Sequence, residues 1–439
     1  MNEYLSFEDS LYLESPQYEV CNIADLDFLV DNLVSLPSLR PFCLDRLVKF
    51  CCEFCKSGEI RAKILEKSMN KCLSLLYRLY KANLFSFDEI DEMWQDHFVF
   101  RYYCFFHQEF EITDMGEFFD SAPQDIDLSF VTNTNDFDVM KLYGYLPSSL
   151  EYWLKYDDSE SLIKNIVDFS TLLRKNVQWS PFEWSREPSN FDVLSFSGFF
   201  GSIHCFKHLL LNGFTLNNAI TESVICSGSI DLFRLCPEST IDLPSLLVKS
   251  STFHHTQLLT FLLEQGSSIN SQDKNGRTPL HAAASEGHLS VVSFLIQNGA
   301  EVNIKGPEGN TPLLLALMNK HTIVSKYLLD NGSDITLKND FGWSPLHISI
   351  SNHLNEISKQ LLSLGANVND INIHNVTPLH VAADHTNYEM AKILVDSQAI
   401  VDSKDKYLLF NLMILLHFIL LSRGVLLRLQ ICLFNMELM

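Results

Sequence analysis

Apolar residues recur at intervals of three and four through most of this chain, the spacing that gives an α-helix one apolar face. Near the start, Leu26, Leu29, Val30 and Leu33 form one such stripe, and Leu47, Val48, Phe50, Cys51 and Phe54 a second, with Pro37 and Pro41 between them. A third run opens at Gly58-Glu59-Ile60 and keeps Ile64, Leu65, Met69, Cys72, Leu75, Leu76 and Leu79 on one face to about Ala82, where Leu84-Phe85-Ser86-Phe87-Asp88 breaks it. Residues 1–140 therefore read as a helical region. Further along, the predicted helices come in pairs. Ala282-Ala283-Ala284 makes a thin helix and Val291-Val292-Ser293-Phe294-Leu295-Ile296 a broad apolar one, and a small face opposite a large one lets helices stack closely.

The pairs repeat in a fixed register. Thr278-Pro279-Leu280-His281, Thr311-Pro312-Leu313-Leu314, Ser344-Pro345-Leu346-His347 and Thr377-Pro378-Leu379-His380 stand 33 residues apart, as do Gly266, Gly299, Gly332 and Gly365. Asn270, Asn303 and Asn369 keep the same step, with Thr336 as the exception. Each residue has a physical duty: Thr or Ser caps an inner helix, Pro loses no needed donor in its first turn, and Gly ends the outer helix in a left-handed conformation.

Over residues 271–403 this register resembles the ankyrin repeat, in four regular units. The resemblance implies an all-α solenoid of stacked helix pairs with short β-hairpin tips. It implies protein recognition by the tips and by the concave face of the inner helices, and histidines at 281, 347 and 380 that bond between adjacent units rather than hold metal. Upstream the pattern weakens. Ser245-Leu246-Leu247-Val248 with Leu258, Leu262, Leu263 and Gly266 makes a unit without Pro, and Asp192–Gly213 follows the unit beginning at Thr278 at an offset of 86. Gly228 comes only 27 residues after Gly201, and His254 only 26 after that, so these units should have lost their hairpins. Residues 141–270 resemble the degenerate ankyrin-like regions that precede regular arrays in large protein families of unicellular eukaryotes. The expected organisation is a helical N-terminal region (1–140), degenerate repeats (141–270), four regular repeats (271–403) and an atypical apolar tail (404–439), with about seven units in all.

Composition narrows the function. A hydrophobic fraction of 46% with 12% aromatics excludes general disorder, and a net charge of -22 disfavours a nucleic-acid partner, which needs clustered Lys and Arg. The acidic start Met1-Asn2-Glu3 lacks the charge pattern of a secretory signal, and eleven cysteines fit reduced thiols, so residence in the cytoplasm is expected. The cluster Cys51-Cys52-Glu53-Phe54-Cys55 has no second ligand pair to complete a zinc site, and the aromatic run Phe98–His107 fits core packing better than base stacking. Phosphate loops, nucleophile elbows and kinase-like sets are missing from the sequence, so no enzyme, metal or cofactor is expected.

The tail departs from the register: Phe410-Asn411-Leu412-Met413 occupies the place of the next tetrapeptide, and the chain turns apolar from Tyr407. It reads as a membrane anchor, as a cover for the last repeat, or as the product of a shifted reading frame near Tyr407, the last being preferred. Membrane attachment by residues 407–439 is thus a less favoured alternative to a soluble adaptor or scaffold. A client-recognition subunit of an enzyme complex is another.

The tips Lys274-Asn275-Gly276-Arg277, Gly306-Pro307-Glu308-Gly309-Asn310, Asn339-Asp340-Phe341-Gly342-Trp343 and Ile373-His374-Asn375-Val376 suit tight projecting turns. Side chains there have little packing duty, which makes Lys274, Arg277, Phe341, Trp343 and His374 the candidate contacts for partner proteins. Trp343 has a competing role, lying against the neighbouring repeat.

Overall fold

The computed structural model describes residues 145–173, 175–178, 190–237 and 242–400, together with residues 73–86 and a few separate positions before residue 90. Within them lie seventeen α-helices and one two-stranded sheet. The architecture is the all-α stack of helix pairs expected from the sequence. The chain divides into two units, residues 1–242 and 243–439. The aromatic run 98–107, most of region 1–140 and the tail beyond residue 400 lie outside the described residues.

The first unit holds α1 (Leu73–Lys81), α2 (Leu150–Lys155), α3 (Ser159–Asn165), β1 (Asn176–Gln178), β2 (Asn190–Asp192), α4 (Val193–Phe199), α5 (Ile203–Leu211), α6 (Asn218–Ser227) and α7 (Ile230–Phe233). Its core is aromatic. Phe196 and Phe206 are fully enclosed, and the buried Lys155 lays its ammonium over the rings of Tyr145, Tyr156 and Phe200 at 5.8, 5.0 and 5.7 Å. The connection from α5 to α6 takes only residues 212–217, so no finger projects between these pairs. Ahead of α4, however, β1 and β2 pair antiparallel with the buried Val177 opposite Phe191. Strands of three residues are too short to show an alternating pattern, and this hairpin is invisible in the sequence.

The second unit stacks five pairs: α8 (Leu243–Thr252) with α9 (Thr256–Glu264), α10 (Pro279–Glu286) with α11 (Leu289–Gln297), α12 (Pro312–Met318) with α13 (Thr322–Asp330), α14 (Pro345–Ser351) with α15 (Asn355–Ser363), and α16 (Pro378–Asp384) with α17 (Tyr388–Asp396). Inner helices pack on inner helices and, from α11 onward, outer on outer. Ser250, Ala283, Ala316, Ser349 and Ala382 recur every 33 residues along the inner seam and are all 0% exposed, which sets the close approach. Leu280, Leu313, Leu346 and Leu379 are each 1% exposed, a burial worth about 1.5–3 kcal/mol per side chain.

A left-handed residue turns every inner helix into its outer partner. In the second unit these are His254, Gly287, Lys320, His353 and Thr386, with φ between +52° and +81°. In the first unit Asp157, Gly201 and Gly228 do the same, with φ of +56°, +76° and +73°. Asp157 marks α2 and α3 as a helix pair that the sequence pattern did not single out, making eight pairs among the described residues rather than about seven. Its carboxylate also caps the next outer helix, accepting from the backbone N–H groups of His204 (3.0 Å) and Cys205 (2.9 Å) and meeting His204 Nδ1 at 2.6 Å.

Candidate functional site

Each tip of the second unit is built around one residue at the same register position, Asp273, Gly306, Asn339 and Asn372. In three of the four, Oδ1 accepts the N–H groups two and four residues on. Asp273 takes those of Asn275 (2.9 Å) and Arg277 (2.8 Å), Asn339 those of Phe341 (3.2 Å) and Trp343 (2.9 Å), and Asn372 those of His374 (2.8 Å) and Val376 (3.0 Å). The left-handed position falls on Gly276, Gly309 and Gly342, and in the fourth tip on Asn375 at +60°. Gly306 stands apart because a Cβ there would meet His281 Nε2 at 2.7 Å. Its tip folds instead as a short 3-10 turn over Pro307–Gly309.

The tips are also tied to one another. Asp340 N–H donates to the Glu308 carbonyl at 2.9 Å and Ile373 N–H to the Phe341 carbonyl at 3.2 Å. Alongside runs a ladder of long side chains: Gln272 donates to the Lys305 carbonyl (3.2 Å), Lys305 to that of Lys338 (2.7 Å) and Lys338 to that of Ile371 (2.9 Å), with Lys338 also paired to Asp370.

Behind the tips, the Thr-Pro-Leu-His word is a cap and a staple at once. Thr278 N–H donates to His281 Nδ1 at 3.2 Å, which leaves the ring proton on Nε2 to be given to the Asn310 carbonyl at 3.1 Å. Ser344 and His347 repeat this, with His347 Nε2 donating to Val376 at 3.0 Å. Burial pushes both imidazoles down, His347 to about 4, against the opposing pull of those carbonyls. They are neutral structural groups, as the resemblance implies. Among the described residues no group of three or more His, Cys, Asp or Glu could hold a metal ion.

The five predicted contact residues fall into two classes. Lys274, Phe341 and His374 are exposed, Phe341 at 45%. Arg277 and Trp343 are not free of packing duty. The Arg277 guanidinium pairs with Asp273 at 3.0 Å, its partner being 5% exposed, and the half-buried Trp343 indole stands edge-on to His347 with ring centres 5.7 Å apart. Both side chains follow from turn geometry, since the residue that closes the tip folds back over the cap. Lys274 and Arg277 lie on the first tip, two repeats from Phe341. What the structure does bring together is Phe341 and Ile373, whose side chain is 59% exposed on the adjoining tip. Ile373 lies in the predicted fourth tip, but nothing in the sequence signals that its side chain, rather than that of Val376, is exposed.

The inner helices offer less than expected. In α10, α12, α14 and α16 only Ser285, Glu286, Leu315, Met318, Ser351 and Asp384 escape burial, chiefly at the C-terminal ends. The tips therefore carry most of the side chains a partner could reach on this side of the second unit.

A family model described as ankyrin repeats (3 copies) matches residues 246–339 and again 326–405. No curated protein matches the chain. The match starts inside α8, whose first turn holds Pro244 although the Thr-Pro-Leu-His word is missing, so this pair is matched along with the four regular ones, and ankyrin repeats are in general protein–protein interaction modules, typically without catalytic activity. With the 33-residue period, the capped inner helices and the stapled tips, this match shows that residues 246–405 carry ankyrin repeats.

Proposed function

We propose that this chain is a non-catalytic cytoplasmic adaptor or scaffold that binds partner proteins through the tips of its second unit. The observation that carries the reading is the pairing of Phe341 with Ile373: two apolar side chains, exposed by 45% and 59%, on neighbouring tips held together by a backbone hydrogen bond. Exposed apolar groups on a turn that is already ordered lose little entropy when a partner covers them, and aromatic anchors of this kind dominate binding energy. Lys274 and His374 would add polar contacts at the rim. The net charge of -22 argues for a protein partner over nucleic acid.

The reading is tested by affinity capture from native lysate with the full chain. The two variants compared are Lys274→Ala/Phe341→Ala/Ile373→Ala/His374→Ala and a control altered only on the exposed outer-helix residues Asp330 and Lys392. Proteins retained by the control and lost by the tip variant support it. Equal recovery by both contradicts it.

A further inference from the structure

We propose that Asn275, on the first tip of the second unit, is the residue at which this chain deamidates, and that the change unlocks the turn around it. Four Asn-Gly pairs occur in the sequence: Asn212-Gly213, Asn275-Gly276, Asn298-Gly299 and Asn331-Gly332. All four asparagines are exposed, and all four glycine N–H groups donate to a backbone carbonyl, that of Leu210, Asp273, Ile296 and Leu329 in turn. The side chains divide them. Asn212, Asn298 and Asn331 each end an outer helix and donate Nδ2 to the carbonyl four residues back, at His208, Phe294 and Tyr327, in each case at 2.8 Å. Each of these carboxamides is drawn back along its helix, away from the glycine nitrogen that follows it. Among the described residues the Asn275 carboxamide has no such partner, and only the backbone N–H of that residue is engaged, by Asp273 Oδ1 at 2.9 Å.

In an Asn-Gly pair the glycine nitrogen, once a base in the solvent has taken its proton, bonds to the asparagine Cγ and expels the side-chain nitrogen as ammonia. Glycine favours this step because it brings no side chain to the closing imide ring. Water then opens the ring at either carbonyl. One product is aspartate and the other isoaspartate, in which the main chain runs through the former side chain. Both alter the tip. Asn275 stands two repeat periods before Phe341 and, like it, donates its N–H to the residue that holds the turn. A carboxylate therefore arises at the exposed end of the tip, close to that of Asp273. Isoaspartate also lengthens the main chain within a loop closed by Asp273 N–H on the Arg277 carbonyl at 2.9 Å and by Arg277 N–H on Asp273 Oδ1 at 2.8 Å. Both bonds span the altered link, so the turn opens and Lys274 and Arg277 lose their fixed positions.

The test incubates the full chain in mildly alkaline buffer, native and unfolded in urea, and follows each Asn-Gly peptide by mass spectrometry, with fragmentation that separates aspartate from isoaspartate. In urea the four sites should convert at similar rates. In the native chain Asn275 should convert about fivefold faster than Asn212, Asn298 or Asn331, since each of those must first give up a hydrogen bond. Amide hydrogen exchange across 273–277 should then be faster in the isoaspartate form and unchanged in Asn275→Asp, whose main chain is normal. Equal native rates at the four sites, or a lead for Asn275 that persists in urea, overturn the assignment of the site. Unchanged exchange across 273–277 in the isoaspartate form overturns the unlocking of the turn.

Discussion

His281 gives its Nε2 proton to the carbonyl of Asn310, joining the first residues of one inner helix to the base of the next tip at 3.1 Å. The bond exists only while the ring is neutral at Nδ1, where it accepts from Thr278 N–H at 3.2 Å. His347 makes the same pair of bonds. The repeat word is therefore a device that joins units as well as a helix cap, and it is sensitive to acid.

Burial depresses the folded-state pKa of His281 and takes that of His347 to about 4. A depressed pKa means that the unfolded chain takes up the proton first. Stability is complete above the unfolded value of about 6.5 and is lost as pH falls toward 4, by about 3 kcal/mol for His347. Thermal unfolding followed from pH 7.5 to 4 should show this loss, and His347→Leu should flatten part of it. An unchanged slope in that variant would place the acid sensitivity elsewhere.

Asn303 bridges two repeats, accepting Asp334 N–H at 2.8 Å and donating to the Gly332 carbonyl at 3.1 Å. Thr336, at the equivalent place one unit on, bonds only locally to Asp334. Asn303→Ala should cost about 1–2 kcal/mol and Thr336→Ala about 0.5 kcal/mol or less, as read from urea midpoints.

Gly287 sits at φ +81°, and a Cβ there would lie 2.5 Å from His321 Nδ1. Gly287→Ala should therefore cost about 2–4 kcal/mol, adding left-handed strain to the displacement of a ring whose Nε2 donates to the Ser285 carbonyl at 2.9 Å. Gly299 has a similar φ of +88° with nothing within 4 Å, and its Ala variant should cost only about 1 kcal/mol. Chemical denaturation of both variants separates strain from collision.

Phe341→Ala and Ile373→Ala should leave the unfolding midpoint within about 0.5 kcal/mol of the parent, because their side chains are largely in water. A loss above 1 kcal/mol for either would make it a packing residue and remove it from the recognition surface.

The regular repeats were legible because their residues do local work: Pro, Thr, Gly and Leu each answer to helix caps, turns and core positions that recur every 33 residues. The inner-to-outer turn was harder to read. Gly287 advertises its left-handed backbone, but Asp157, His254, Lys320, His353 and Thr386 adopt the same conformation without a residue type that requires it. That is why the α2–α3 pair went unseen. The β1–β2 hairpin was hidden by the shortness of its strands. At the candidate site, spacing located the tips but could not separate side chains that turn back, Arg277 and Trp343, from those that point outward, Phe341 and Ile373. That distinction depends on Asp273 and His347 lying beside them in space.

The most direct measurement of the central claim is a hydrogen-exchange footprint on the full chain with a partner recovered by affinity capture, compared with the chain alone. The prediction is slowed exchange at 273–277, 339–343 and 372–376, with the outer helices α11, α13, α15 and α17 unaffected. Protection confined to those outer helices, or to residues 1–242, would contradict recognition by the tips.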